Sequence, residues 1–338
     1  YCPPAPVGEP ETEEAYNVIL RDIATGDDQW LPVPPNGFNR GLPRINCFDP
    51  TGMGVLMLLP AAEGAQRPYE IAAYDLRYPE RQPRLLGGPL SACFDRTGEH
   101  VIAFTVASRG AAELQFRNLV DGTVQRVGIE WEGLRYIHSV CPTEDIACFF
   151  GVEATLREEP REIRHPETGA VMHTIPGPRR SITGLRLYNV HTGEFVARLP
   201  VHEKNSQLDD IMSVWTPDGR YIAWLDYEGE KMSNDTWGCR VWDRVEGQVH
   251  AFLPNGCPVG PGPTPSSLWL IRTDKADPRP VLYDAAGGRS WVLGKPGMRL
   301  LHATGNRIVT LHTTPDGVRT IHVADLDFGG PEEEAEQQ

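Results

Sequence analysis

No run of apolar residues in this chain approaches the roughly 18 needed to cross a bilayer as a helix. The longest uncharged apolar stretch, Met53 to Ala62, has the length of one strand and its turn. Basic charge is scarce, with 32 Lys and Arg against 46 Asp and Glu and a net charge of −14 over 338 residues. That sign is wrong for a surface that neutralises phosphates, so nucleic acid is excluded as a partner. A sustained 3.6-residue apolar period is missing, and helices are expected to be few. The sequence contains no G-x-S-x-G elbow, Walker loop, H-E-x-x-H helix or dinucleotide fingerprint, and it assigns no catalytic residue and no cofactor. Its cysteines (Cys2, Cys47, Cys93, Cys141, Cys148, Cys239, Cys257) form neither C-x-x-C nor C-x-x-C-H, which removes a zinc ribbon and covalent haem.

Two punctuation marks recur. The first joins two strands through a turn: Phe48-Asp49-Pro50-Thr51-Gly52, then Phe94-Asp95-Arg96-Thr97-Gly98, then Trp215-Thr216-Pro217-Asp218-Gly219 followed by Tyr221-Ile222-Ala223-Trp224. Degenerate copies sit at Ser139 to Phe150, without a glycine, and at Leu301 to Leu311. The second mark is an apolar strand that ends in Asp or Asn before a turn, at Asp22, Asp75, Asn118, Asn189, Asp243, Asp284 and Asp325. This spacing is that of a propeller blade rather than a helical solenoid. A four-stranded blade alone exposes two apolar faces, and radial stacking buries both while leaving short edges.

The copies Phe48 to Gly52, Phe94 to Gly98 and, above all, Trp215 to Trp224 resemble the F/W-S-P-D-G-x-x-I-A-F repeat of WD40-like, TolB-type propellers over about residues 41 to 325. The resemblance implies architecture, and an extracytoplasmic (periplasmic or secreted) location, more than an activity. The expected fold is an all-β propeller of four-stranded antiparallel blades. Units fall at about 41–88, 89–133, 134–206, 207–256, 257–297 and 298–327, the last one strand short. Six blades are preferred over seven, because a seventh leaves two blades incomplete. Gln29-Trp30-Leu31-Pro32-Val33 is the expected closing strand, so that both termini complete the ring.

Residues 1–15 read as a Pro/Glu-rich arm, 16–327 as one propeller domain, and 328–338 as an acidic tail. The unit at 134–206 is elaborated at about 152–182, where Arg161 to Ile175 alternates on both sides of a Pro-Glu-Thr-Gly turn, as a two-stranded excursion does. Such a projection either carries recognition or is a tolerated loop. The chain opens at Tyr1, which is consistent with a processed terminus preceded by a secretory signal. Cys2 invites a lipid anchor, but Tyr1 is not the small residue that processing expects, and an ordinary or disulfide-bonded cysteine fits better. Cys141 and Cys148 flank the turn Pro142 to Asp145. A disulfide between them would imply an oxidising compartment, and buried thiols are the alternative.

Candidate partner-binding residues are Trp131 and Trp237, placed in connections, because Trp is enriched at binding hot spots. His165 and His173 on the excursion complete the set. The histidines His138, His165, His173, His191 and His202 have no spacing that forces a metal site, so no metal is assigned. Asp226 and Glu228, with Asn234 and Asp235 nearby, offer oxygen ligands but lack the spacing of an EF-hand. Asp209 and Asp210, being adjacent, point to opposite faces of an extended chain and cannot act as a carboxylate pair. The leading expectation is a non-catalytic binding or scaffold propeller, an extracytoplasmic accessory subunit that contacts other proteins in a membrane-associated assembly without spanning the membrane itself. The rival is a propeller hydrolase or lyase that attacks a carbohydrate or peptide through axial carboxylates.

Overall fold

A computed structural model describes residues 18–21, 25–31, 44–61, 69–78, 80–106, 112–157, 160–164, 166–177, 179–203, 205, 213–229, 236–272, 279–294, 298–313 and 319–327. Among these the chain is all strand and turn, and no helix is long and apolar enough to cross a membrane. The amino-terminal arm and the acidic tail lie outside the described residues, as do Cys2, His165, Asp209 and Asp210.

Six of the eight sheets among the described residues are the blades of a six-bladed β-propeller, as the repeat predicts. A hairpin of β1 (Val18–Arg21) and β2 (Asp28–Leu31) comes first. Blade 1 follows with β3 (Arg44–Phe48), β4 (Gly54–Pro60), β5 (Tyr69–Asp75) and β6 (Arg84–Leu85). Blade 2 comprises β7 (Ser91–Phe94), β8 (His100–Val106), β9 (Ala112–Asn118) and β10 (Val124–Ile129). Blade 3 contains β11 (Leu134–Val140), the long β12 (Ile146–Arg157) and β15 (Arg179–Asn189), and β16 (Phe195–Leu199). Between its long strands lies the excursion, β13 (Arg161–Arg164) paired with β14 (Val171–Ile175). Blade 4 is β17 (Val214–Trp215), β18 (Tyr221–Tyr227), β19 (Trp237–Asp243) and β20 (Gln248–Pro254). Blade 5 is β21 (Gly256–Pro261), β22 (Ser267–Arg272), β23 (Pro280–Asp284) and β24 (Arg289–Val292). Blade 6 has three strands, β25 (Met298–Thr304), β26 (Arg307–Thr313) and β27 (Arg319–Asp325). One detail of the expected closure differs: Gln29, Trp30 and Leu31 pair with β1 rather than with blade 6.

The punctuation marks are turn devices. At the first, the Asp49 carboxylate accepts the Met53 N–H at 2.9 Å and the Thr51 hydroxyl at 3.0 Å. Asp95 likewise takes the His100 N–H at 3.1 Å and the Thr97 hydroxyl at 2.7 Å. In blade 4 the two residue types exchange places: the Thr216 hydroxyl accepts the Tyr221 N–H at 3.0 Å, and Asp218 accepts that of Arg220 at 3.0 Å. Either order satisfies the turn's donors, so the mark survives the swap. All six third strands end on the Asp or Asn of the second mark. Asn118, Asn189 and Asp243 each accept two backbone N–H groups from the turn that follows. Each of those turns closes on a glycine with positive φ, Gly122, Gly193 or Gly247, which only glycine adopts without strain.

By contacts, the chain forms two compact units. The first comprises residues 1–132, 139–147 and 189–194 and holds the hairpin, blades 1 and 2 and two turns of blade 3. Alternation along its strands sends side chains to both faces. Val55, Met57, Ala72 and Tyr74 cover Leu31, while Leu56, Ile71 and Ala73 meet Ala92, Phe94, Val101 and Ala103 of blade 2. The second unit, residues 133–138, 148–188 and 195–338, repeats the arrangement. Tyr221, Ala223, Cys239 and Val241 of blade 4 pack on Leu268, Leu270, Val281 and Tyr283 of blade 5. The opposite face of blade 5, Trp269 and Leu282, packs on Leu300, Ala303 and Ile308 of blade 6. Trp269 Nε1 also donates to the Gly305 carbonyl at 2.8 Å. Full burial of each such side chain contributes about 1.5–3 kcal/mol.

Candidate functional site

The most developed polar site belongs to blade 3 and to the chain that leaves it, within the second unit. Strands β15 and β16 pair antiparallel with Arg186 directly opposite Arg198. Like charges so placed repel. Glu153 of β12, with its side chain only 7% exposed, lies between them. It accepts Arg186 Nε at 2.9 Å and Arg186 Nη2 on its second oxygen, and stands 3.5 Å from Arg198 Nε. The bidentate bond to Glu153 pushes the Arg186 pKa up and keeps its charge fixed. Gly184 makes room for this carboxylate, because a Cβ there would sit 2.6 Å from Glu153 Oε1.

A cavity of about 300 Å³ opens beside this group, lined by Thr183, Gly184, Arg198 and Glu203 with Pro200 and Val201 as an apolar wall. The connection from β16 towards β17 forms that wall, and hydrogen bonds fix it. Val201 N–H donates to the Leu199 carbonyl at 2.9 Å, and Asn205 N–H to that of His202 at 2.8 Å. The Thr183 hydroxyl donates to the Asn205 carbonyl at 2.7 Å. Asn205 Nδ2 in turn donates to the Leu225 carbonyl and to Asp226 Oδ1, both at 3.0 Å.

Asp226 anchors the wall. It is fully buried on β18 and accepts Arg240 Nε at 2.7 Å, Asn205 Nδ2, and the His202 N–H at 3.2 Å. Arg240 also donates to the Tyr227 carbonyl, and the more exposed Glu228 stands 3.9 Å from it. With its oxygens occupied by structural donors, Asp226 is not presented to a substrate as an acid or base. Asp209 and Asp210 lie outside the described residues. The buried Ser213 does not form a nucleophile–base couple with His138, because Nδ1 of His138 receives the Ser213 backbone N–H at 2.7 Å.

The candidate contact residues do not converge. Trp131 occupies the connection between β10 and β11, as expected, but is only 6% exposed. It therefore packs in the core rather than presenting a contact face. Trp237 opens β19 instead of lying in a connection, half-buried and edge-on to Tyr227 at 5.0 Å. His173 is exposed on β14. His138 is buried, His191 stacks on Phe116 at 4.6 Å, and His202 lies over Tyr227 at 4.1 Å, so these rings are held apart by separate partners. Among the described residues no group of three or more His, Cys, Asp or Glu is placed to hold a metal. Of the two readings of Cys141 and Cys148, the structure has buried thiols: both are buried and free. Burial pushes the Cys148 thiol up to about 12, against a hydrogen bond with Ser213 that lowers it.

No protein-family model matches the sequence, and no curated protein sequence matches it. Its fold does match solved structures. An acylaminoacyl peptidase in complex with Z-Gly-Gly-Phe-chloromethyl ketone aligns at a TM-score of 0.56 with 12% identity, covering 84% of this chain and 45% of that one. The Pyrococcus horikoshii acylaminoacyl peptidase aligns at 0.55 with 12% identity, covering 81% and 43%. TolB from Acinetobacter baumannii aligns at 0.47 with 13% identity, covering 91% and 73%. The chain thus spans less than half the length of the two peptidases. At these identities the likeness establishes the β-propeller fold, in agreement with the TolB-type repeat read from the sequence. It also corrects the functional expectation. The non-catalytic scaffold reading followed from absent motifs, whereas the two structures named above with a TM-score over 0.5 are acylaminoacyl peptidases, each matched over less than half its length.

Proposed function

We propose that this chain is the substrate-handling propeller of a peptide hydrolase, which admits and orients peptides for a nucleophile that its own sequence does not supply. The observation that carries this reading is the shared fold: most of this chain aligns with less than half of each acylaminoacyl peptidase. Two features of the site support it. The cavity beside Arg198 has fixed polar groups on a rigid wall, suited to binding rather than bond cleavage. The sequence lacks the G-x-S-x-G elbow of a serine hydrolase nucleophile. Within this reading His173, on the exposed excursion, stays a contact candidate, and the buried Trp131 does not.

The test is calorimetric titration of the full chain with N-acylated tripeptides, each as free acid and as C-terminal amide, with chromatography of the mixtures for hydrolysis. Saturable binding with the peptides recovered intact is the expected result. Failure of every peptide to bind at millimolar concentration would overturn substrate handling. Cleavage by the chain alone would overturn the assignment of the nucleophile elsewhere.

A further inference from the structure

Two guanidinium groups face each other across β15 and β16, and among the described residues Glu153 is the carboxylate that approaches both. Arg186 takes both oxygens of Glu153. Arg198 is left with one 3.5 Å approach to an oxygen already bonded, and its side chain is 61% exposed at the cavity. Among the described residues, Glu153 is the one carboxylate within ion-pair distance of Arg198. The planar fork of Arg198 therefore keeps donors in reserve, of the geometry that grips a carboxylate with two parallel bonds.

We propose that Arg198 binds the terminal carboxylate of a short peptide whose last side chain is apolar. This rests on the peptide-handling reading above and names the part of the peptide that the cavity takes. Three observations select that occupant. The volume, about 300 Å³, is at the low end for ligand sites and suits a chain end of one or two residues rather than a long segment. Pro200 and Val201 give the last side chain an apolar wall. Glu203, also on the lining, disfavours a doubly charged anion such as phosphate and tolerates a single carboxylate drawn to the Arg198 side. The site is also built before any ligand arrives. The Thr183–Asn205–Asp226 chain of hydrogen bonds fixes the wall, and the Arg186–Glu153 pair fixes the floor, so little ordering is left for binding to drive.

The experiment titrates the full chain with Gly-Gly-Leu and with Gly-Gly-Leu amide, for the unaltered protein and for R198A and R198K. The free acid is expected to bind about tenfold or more tightly than the amide, as loss of a charge-assisted pair implies. R198A should abolish that preference, and R198K, which keeps the charge but loses the fork, should retain part of it. Melting curves check that the variants fold, and the acid–amide comparison on the unaltered chain decides the matter if R198A does not. Equal binding of acid and amide, or an acid preference unchanged in R198A, would refute the carboxylate site. If N-acylated tripeptide amides still bind in that case, the peptide-handling reading stands and only this inference falls. If no peptide binds, both fall.

Discussion

Replacing Asp226 by alanine is expected to lower the melting temperature by several degrees, and the structure sets the size. Asp226 is fully buried and Arg240 is 13% exposed, so the variant leaves a nearly buried guanidinium without its counter-ion. It also strips an acceptor from Asn205 Nδ2 and from the His202 N–H. Removing one partner of a buried pair costs about 3–5 kcal/mol. Unfolding entropy near the midpoint is about 2.1 cal/mol/K per residue. For a cooperative unit of 338 residues that amounts to about 0.7 kcal/mol/K, and hence a shift of about 4–7 °C. R240M should cost a comparable amount, since it orphans the carboxylate instead. The double variant D226A/R240M removes both charges and should recover much of the loss, because a buried pair replaced by apolar groups is often close to neutral. Differential scanning calorimetry at neutral pH reads all three. A shift under about 1 °C for D226A, or a double variant as unstable as the two single losses together, would refute the account of Asp226 as the pinned end of the cavity wall.

Two further outcomes follow from the ionisable groups. Burial of Asp243 works against its charge but is outweighed by hydrogen bonds from Arg220 and from the Glu246 and Val245 N–H groups, so its pKa is depressed. Its stabilisation is present above the unfolded carboxylate value of about 3.9 and is lost as pH falls through the lower folded value. The advantage of the unaltered chain over D243N in urea titration should be full at pH 7 and shrink below about pH 4; a pH-independent difference would contradict the assignment. Burial pushes the Cys257 thiol up to about 11 and Cys148 to about 12. Iodoacetamide at pH 8 should leave both intact in the native protein and alkylate both in urea, as peptide mass mapping can read; native labelling at Cys148 would show that the interior of blade 3 is open to solvent.

Much of the fold is legible in the sequence because its signals are local. The residues Asp75, Asn118, Asn189, Asp243, Asp284 and Asp325 each close a third strand, and all but Asp325 accept a backbone N–H from the turn that follows. The excursion at Arg161 to Ile175 forms the hairpin its alternation predicts. Burial of a residue in a connection is not local, which is why Trp131 reads as a contact residue and turns out to be core. The cavity cluster was missed for a related reason: Glu153, Arg186 and Arg198 stand on three strands and match no motif spacing. Arg186 lies three residues before the Asn189 to Gly193 turn and Arg198 five after it, and a bulge between Leu187 and Tyr188 brings them opposite each other. That Glu153 arrives from β12 to meet both arginines is shown only by the folded chain.

The first-mark turns of blades 1, 2 and 4 are each held by side chains that bond to the backbone beside them, Thr216 and Asp218 standing in blade 4 where Asp49 and Thr51 stand in blade 1. A fold fastened this way asks little of the residues in between beyond alternating polarity. Sequences can then differ at most positions while keeping this shape, and the 12% identity that accompanies alignment over 84% of this chain agrees with that.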